Sequence, residues 1–230
     1  MQRSTITAMA LLTGLTACAA QAELIPVAQQ RTITAASLLT GATNTLTAPD
    51  FAPFIGTVNT DVPFLTPNGI AATTTAVSTI NCFVDPNGVR AAGSLLAGGG
   101  VAGGAGGPTQ AFGEARAIVI VSFEITQATA FSLSCLPRPL LTPGDTFEFK
   151  FRGLHGGDTF IELSEADPAQ AVNLTGILQP GEYELRYHVE LSRATSAEQA
   201  LYDFNLVVPS PQAGVVLAGA GLLSLRRRRR

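Results

Sequence analysis

The stretch that decides the fold is Thr146–Arg152, TFEFKFR, in which three phenylalanines alternate with polar residues. A second stretch, Glu182–Leu191 (EYELRYHVEL), has an apolar residue at every second position. Successive side chains of a β-strand point to opposite faces, so each stretch predicts a strand with one face toward a shared core and the other toward solvent.

Other segments of the second half of the chain extend this pattern. The dipeptides Pro143-Gly144 and Pro180-Gly181 precede the two strands above, and Pro followed by Gly suits the central positions of a type II turn. Short strands at this spacing predict an all-β fold, an antiparallel β-sandwich over residues 111–208, of jelly-roll or immunoglobulin-like topology. The additional predicted strands are Ile118–Ile125, Phe131–Cys135 and Tyr202–Val208.

The region from residue 23 to 110 is rich in Thr, Ala and Gly and has only scattered large apolar residues. We expect a few strands here, packed on the main domain. Ser94–Pro108 is predicted to be a glycine-rich loop. It contains no lysine or arginine and no G-x-x-x-x-G-K-[ST] pattern, which argues against a nucleotide-binding cradle.

The N-terminus has the pattern of an export signal. Arg3 precedes the mostly apolar run Ile6–Ala17, and Ala20 and Ala22 form an A-x-A cleavage pattern. The run is shorter than the roughly 20 residues of a membrane-spanning helix, so residues 1–22 are predicted to be a cleaved signal peptide. In an alternative interpretation, Leu15–Cys18 is a lipobox and Cys18 is lipidated; both routes export the chain.

The C-terminus contains Pro209, Ser210 and Pro211, followed by Ala213–Leu225 without any charge and then by five arginines. Thirteen helical residues rise about 20 Å, which is short of the roughly 30 Å hydrocarbon core. We therefore expect a short transmembrane helix whose basic end stays on the cytoplasmic side. The arginines are Arg226, Arg227, Arg228, Arg229 and Arg230.

This tail, from Val208 to Arg230, resembles the PEP-CTERM sorting signal of Gram-negative bacteria. Ser210 stands where that family most often has Glu, and the resemblance does not extend upstream of Val208. It implies that a membrane-embedded exosortase recognises Pro209–Pro211 and processes the protein for release or surface attachment, after transient anchoring in the inner membrane. It also implies a setting in the extracellular polysaccharide matrix. The alternative is a tail anchor that is never cut.

The net charge of the exported part is strongly negative. Six of the 14 basic residues are Arg3 and the C-terminal arginines, which leaves eight against 17 acidic residues and a net charge of −9. An anionic domain repels phosphate backbones, so nucleic-acid binding is not expected.

Two cysteines remain after removal of the signal peptide. Cys82 and Cys135 each lie on the apolar face of a predicted strand, and an exported protein is in an oxidising compartment. A disulfide between them is one prediction, and two buried free thiols are the other.

The sequence offers little chemistry for catalysis. The two histidines, His155 and His188, are predicted in a hairpin turn and on a solvated strand face. The acidic residues Glu162, Glu165 and Asp167 form an unspecific candidate for calcium. Trp is absent, which weighs against sugar stacking. We predict no catalytic residue, cofactor or metal, and a non-enzymatic, structural or adhesive surface protein; the alternative is a polysaccharide- or calcium-binding module.

Overall fold

The computed structural model describes residues 23–38, 40–65, 71–102, 109–110, 112–136, 144–167, 171–193 and 197–209. The predicted signal peptide, with Ala20 and Ala22, and the predicted tail beyond Pro209 lie outside these residues. No helix able to span a membrane occurs within the described ranges.

Alternating side chains and frequent Thr, Val and Ile favour strands throughout these ranges. The described residues contain strands only, without a helix. They are β1 (Leu24–Ser37), β2 (Ala42–Thr47), β3 (Phe54–Leu65), β4 (Ala71–Asp85), β5 (Gly88–Gly98), β6 (Val101–Ala102), β7 (Thr109–Gln110), β8 (Gly113–Ile125), β9 (Thr129–Cys135), β10 (Thr146–Gly153), β11 (Thr159–Ser164), β12 (Val172–Leu178), β13 (Gly181–Arg193) and β14 (Glu198–Val207).

The strands form two six-stranded sheets, and every pairing is antiparallel. The first sheet has the order β11-β10-β13-β8-β1-β2, and the second has the order β12-β9-β14-β5-β4-β3. The strands β6 and β7 pair only with each other. The predicted all-β, antiparallel class is confirmed.

The alternation that predicted the strands also determines which side chains are buried. On β10 the three phenylalanines are buried, and on β13 every second residue from Tyr183 to Arg193 is buried. The two inner faces meet ring to ring: the Tyr187 centroid lies 5.4 Å from that of Phe204 and 5.3 Å from that of Tyr202 on the opposite sheet. The sheets therefore pack face to face, as in a β-sandwich.

The strands before residue 111 belong to both sheets and share this core. Ile33 on β1 and Leu95 on β5 are fully buried in the same apolar cluster as the phenylalanines. Strand β5 continues to Gly98, into the segment predicted to be a loop. Small inward residues such as Ala91 and Ala97 fill this part of the core, so the pattern of large apolar residues is weak here although the strands are long.

Both ends of the fold are held by one turn. The Leu24 N–H donates to the Pro86 carbonyl at 3.2 Å, and the Val208 N–H donates to the Asn87 carbonyl at 2.7 Å. Leu24 and Val208 are themselves fully buried. We call this end of the sandwich, where the β4–β5 turn and both chain ends lie, the terminal pole.

The strand order rules out the predicted disulfide. Cys82 on β4 lies opposite Ala91 on β5, which lies opposite Phe204 on β14, which in turn lies opposite Cys135 on β9. Three strand spacings separate the two cysteines by about 14 Å, whereas a disulfide joins Cα atoms less than about 7 Å apart. Both side chains point inward, as predicted, but they remain buried free thiols.

Candidate functional site

The first residue of the predicted sorting motif lies directly after the fold. Val208 is fully buried, and Pro209 is exposed. Strand β14 thus brings the chain to the terminal pole and ends at Val207, two positions before the motif. Ser210, Pro211 and Arg226–Arg230 lie outside the described residues.

His155 lies in the β10–β11 hairpin turn, as predicted, with φ of 55°. Its Nε2 atom is 3.0 Å from Glu182 Oε2, and both side chains are largely exposed. They line a 620 Å³ cleft at the terminal pole together with Asp158 and Tyr183, whose hydroxyl donates to the Gln179 carbonyl at 2.6 Å. No serine, threonine or cysteine is among the described residues lining this cleft, and its one side-chain hydroxyl, that of Tyr183, donates to a backbone carbonyl.

His188 lies on the outer face of the first sheet, but it is covered more than a solvated residue would be. Arg116 Nε donates to His188 Nε2 at 3.3 Å, and Glu190 Oε2 is 3.4 Å from Arg116 Nε. The neighbouring His188 and then Arg116 hold the pKa of Glu190 below its ordinary value. The imidazole is therefore part of a charge network.

This network extends across the outer face of the first sheet, which we call the charged face. Cross-strand pairs place each basic side chain beside an acidic one at hydrogen-bonding distance or slightly beyond. The pairs are Lys150–Glu162 at 2.6 Å, Arg152–Glu184 at 3.0 Å and Arg186–Glu148 at 3.4 Å.

The three acidic residues considered for calcium have other roles or point to solvent. Glu162 is paired with Lys150, and Asp167 Oδ2 accepts hydrogen bonds from the Ser164 N–H at 2.7 Å and the Ser164 hydroxyl at 3.0 Å. Glu165 is exposed. In the part of the chain that the structure describes, no group of three or more His, Cys, Asp or Glu side chains could hold a metal ion.

The outer face of the second sheet carries a depression of 400 Å³ that the sequence patterns did not predict. Its centre is the small Ala92, which lies opposite Asp203 on one side and Asn81 on the other. In the adjacent row, Arg90 on β5 lies between Phe83 on β4 and Asn205 on β14. We call this surface the polar depression; its side chains are Asn81, Phe83, Arg90, Ala92, Asp203 and Asn205.

The side chains of the polar depression are held in place without being paired. The Arg90 guanidinium carbon lies 4.4 Å from the Phe83 ring centroid, a cation–π contact that leaves its N–H groups unused. Among the described residues, Arg90 and Asp203 form no ion pair, and the side-chain amides of Asn81 and Asn205 form no hydrogen bond. The β4–β5 hairpin and the distant strand β14 meet here through strand order alone, which is why the sequence did not indicate the site.

No model of a protein family matches the chain, and no curated protein matches it. One similar solved structure is described as "Structure of infectious bursal disease virus Gx strain". It has 9% sequence identity and a TM-score of 0.22, and the match covers 81% of this chain and 56% of that chain. A likeness this weak carries no argument about function, so the candidate sites rest on their geometry.

Proposed function

We propose that this protein is an exported, non-enzymatic surface or matrix protein whose C-terminal tail is processed by an exosortase-like membrane enzyme. The observation that carries the proposal is where the fold begins and ends. Among the described residues, the first buried one, Leu24, follows the predicted signal cleavage point after Ala22 by two positions, and the last, Val208, precedes the Pro-Ser-Pro motif by one. The two predicted processing points thus flank the described core.

The pinned ends support a domain that stays folded while its tail is cut. Because Val208 is buried and bonded to the β4–β5 turn, cleavage beyond Pro209 removes no part of the described core. A processing enzyme also needs its motif exposed, and the exposure of Pro209 meets that need. The same turn holds Leu24, so both membrane-directed segments leave from the terminal pole.

A structural or adhesive role is favoured over catalysis by the state of the titratable groups. The charged face pairs its cations with its carboxylates. His155 and His188 contact acidic or basic side chains and no hydroxyl or thiol in the described part of the chain. Nucleophilic catalysis by a hydroxyl or thiol needs such a group within hydrogen-bonding reach of a base.

Of the two predicted topologies, we propose the jelly roll. From β8 onward the chain crosses between the sheets repeatedly, and the β10–β11 hairpin is the only pair of consecutive strands among β8–β14 that stays in one sheet. The orders β5-β14-β9-β12 and β8-β13-β10-β11 match four strands in each of two facing sheets, as two Greek keys require. Strands β1–β4 widen both sheets on the same side.

Replacing both prolines of the motif tests the proposed processing. In a host with an exosortase, we expect the Pro209→Ala, Pro211→Ala double variant to remain in the membrane fraction at unprocessed size, while the parent is processed. The matched control is Pro49→Ala, an exposed proline in the β2–β3 connection, which should be processed like the parent. Release of the double variant at the parental size and rate would contradict the proposal.

A further inference from the structure

We propose that the polar depression binds a neutral polysaccharide, a role that rests on the proposed function because sorting to the surface supplies the polymer. Planar amide, guanidinium and carboxylate groups carry donors and acceptors in fixed geometry, which suits the paired hydroxyls of a sugar ring. Asn81, Arg90, Asp203 and Asn205 bring all three groups to one shallow surface. Its volume lies within the range of small-molecule sites.

The depression is pre-organised for this chemistry. Stacking on Phe83 restrains the long Arg90 side chain before any ligand arrives, so less conformational entropy is lost on binding. The other polar groups, those of Asn81, Asp203 and Asn205, have two rotatable side-chain bonds each and stand on β4 and β14, the two strands that flank β5. Rigid strands hold them at fixed spacing.

The contrast between the two outer faces indicates which one meets a ligand. On the charged face, lysine and arginine side chains pair with carboxylates of neighbouring strands, so part of their hydrogen-bonding capacity is used within the protein, while the Nε atoms of Arg152 and Arg186 make no hydrogen bond among the described residues. In the polar depression that capacity is unused among the described residues. The hydroxyl groups of a polysaccharide would supply the missing hydrogen-bond partners.

A row of side chains across the outer face of the second sheet is long enough to contact several sugar units of one polymer. From Phe83 it passes through Arg90 and Asn205 to Ser134 and Asn173, in register across five strands of the second sheet. Four strand spacings correspond to about 19 Å. Ser134 and Asn173 are exposed and likewise make no side-chain hydrogen bond among the described residues.

The charge balance selects the class of polymer. Arg90 and Asp203 contribute one positive and one negative charge, and the remaining polar groups are neutral. The whole exported part carries −9, so a polyuronate would be repelled at long range. A neutral polymer pays no such penalty.

Affinity electrophoresis of the full chain, purified in detergent, tests the site. The gels contain a soluble β-1,4-glucan, a galactomannan, a dextran or, as the anionic probe, alginate. We expect at least one neutral polymer to retard the parent and alginate not to retard it. In the Asn81→Ala, Asn205→Ala double variant the affinity should fall about tenfold, because several hydrogen bonds to the polymer are lost.

The matched control is Asn59→Ala, which makes the same change at an exposed position of β3, away from the depression. It should be retarded like the parent. Three results would overturn the proposal: no retardation by any neutral polymer, equal retardation of the double variant and the parent, or stronger retardation by alginate. Because this binding does not require cleavage of the tail, its failure is distinguishable from failure of the proposed processing.

Discussion

At the scale of single residues, Arg31 has an unusual position for an arginine. It lies on the inner face of β1, is fully buried and forms no ion pair among the described residues. Its guanidinium instead donates to the carbonyls of Asp50, Ala52 and Cys82, the last two at 3.0 and 3.5 Å. One side chain thereby joins the first sheet, the second sheet and the connection between β2 and β3.

Arg31→Met should lower the free energy of unfolding by about 3 kcal/mol, because it removes the donor of three carbonyl hydrogen bonds, of which the one to Cys82 is buried. Urea unfolding of the purified protein measures this loss. The matched control, Arg90→Met, replaces an exposed arginine and should change stability by less than about 0.5 kcal/mol. Equal losses in the two variants would show that Arg31 does not hold these carbonyls.

Cys135 makes stability depend on pH in the alkaline range. Burial, and then the charge of Asp203, raise the pKa of its thiol from 9.0 to about 12. Its contribution to stability is therefore complete below pH 9 and is lost as the pH rises toward 12, at up to about 1.4 kcal/mol per pH unit.

Urea midpoints over this pH range measure that contribution in Cys135→Ala and the parent. We expect Cys135→Ala to be less stable at neutral pH, with a deficit that shrinks as the pH rises above 9. Ser134→Ala, at the exposed neighbouring position, should show a constant difference from the parent. A deficit in Cys135→Ala that does not change with pH would contradict the shifted pKa.

At the scale of elements, the start of β10 and the end of β13 are joined by a buried ion pair. Arg193 pairs with Asp145, which precedes β10, and through its Nε with Glu198 on β14 at 2.7 Å. The Ser192 N–H also donates to Asp145 Oδ1 at 3.1 Å. The side chain of Asp145 is fully buried, so the pair ties strands of both sheets together away from solvent.

Asp145→Ala should destabilise the protein by about 3 kcal/mol, because it leaves a buried guanidinium without its main partner. Thermal or urea unfolding checks the value. Glu162→Ala removes the partner of Lys150 on the charged face, where the carboxylate is largely exposed, and should cost less than about 1 kcal/mol. A smaller loss in Asp145→Ala than in Glu162→Ala would refute the assigned role.

The sequence predicted the positions of strands whose inward residues are large and apolar, and predicted only a few strands, without bounds, where the inward residues are small or polar. Strands β10 and β13 have Phe, Tyr, Leu and Val at alternate positions. The inner faces of β3 and β4 instead include Thr60 and Ser78, whose hydroxyls donate to carbonyls of β1 at 3.0 and 2.6 Å. Such polar cross-links between sheets have no hydrophobic period, so the pattern underestimated this region.

The sequence also could not predict contacts between segments that lie far apart along the chain. The inward direction of Cys82 and Cys135 followed from alternation, but two intervening strands made the disulfide impossible, and strand order cannot be read from alternation. The polar depression escaped prediction for the same reason, since Asn81, Arg90 and Asp203 meet only through the β4-β5-β14 order. The predictions for the chain ends rest on local motifs, and those segments lie almost entirely outside the described residues.

At the scale of the whole molecule, the terminal pole indicates how the domain would face the membrane during the proposed export and processing. The signal peptide and the tail would both connect the domain to the membrane from this pole, beside the β4–β5 turn. The outer faces of both sheets, including the polar depression, then stand at the sides of the domain and remain accessible to the matrix. In the proposed route, both cuts leave the buried residues Leu24 and Val208 within the mature domain.

Mass spectrometry of the mature protein's ends, recovered from an exosortase-bearing host, tests the central claim most directly. We predict an unmodified N-terminus at Glu23 and a C-terminus that lacks Arg226–Arg230. An acylated N-terminal Cys18 would show that the protein is lipidated and not secreted by signal-peptide cleavage after Ala22. A mature chain that retains the intact arginine tail would contradict the proposed sorting.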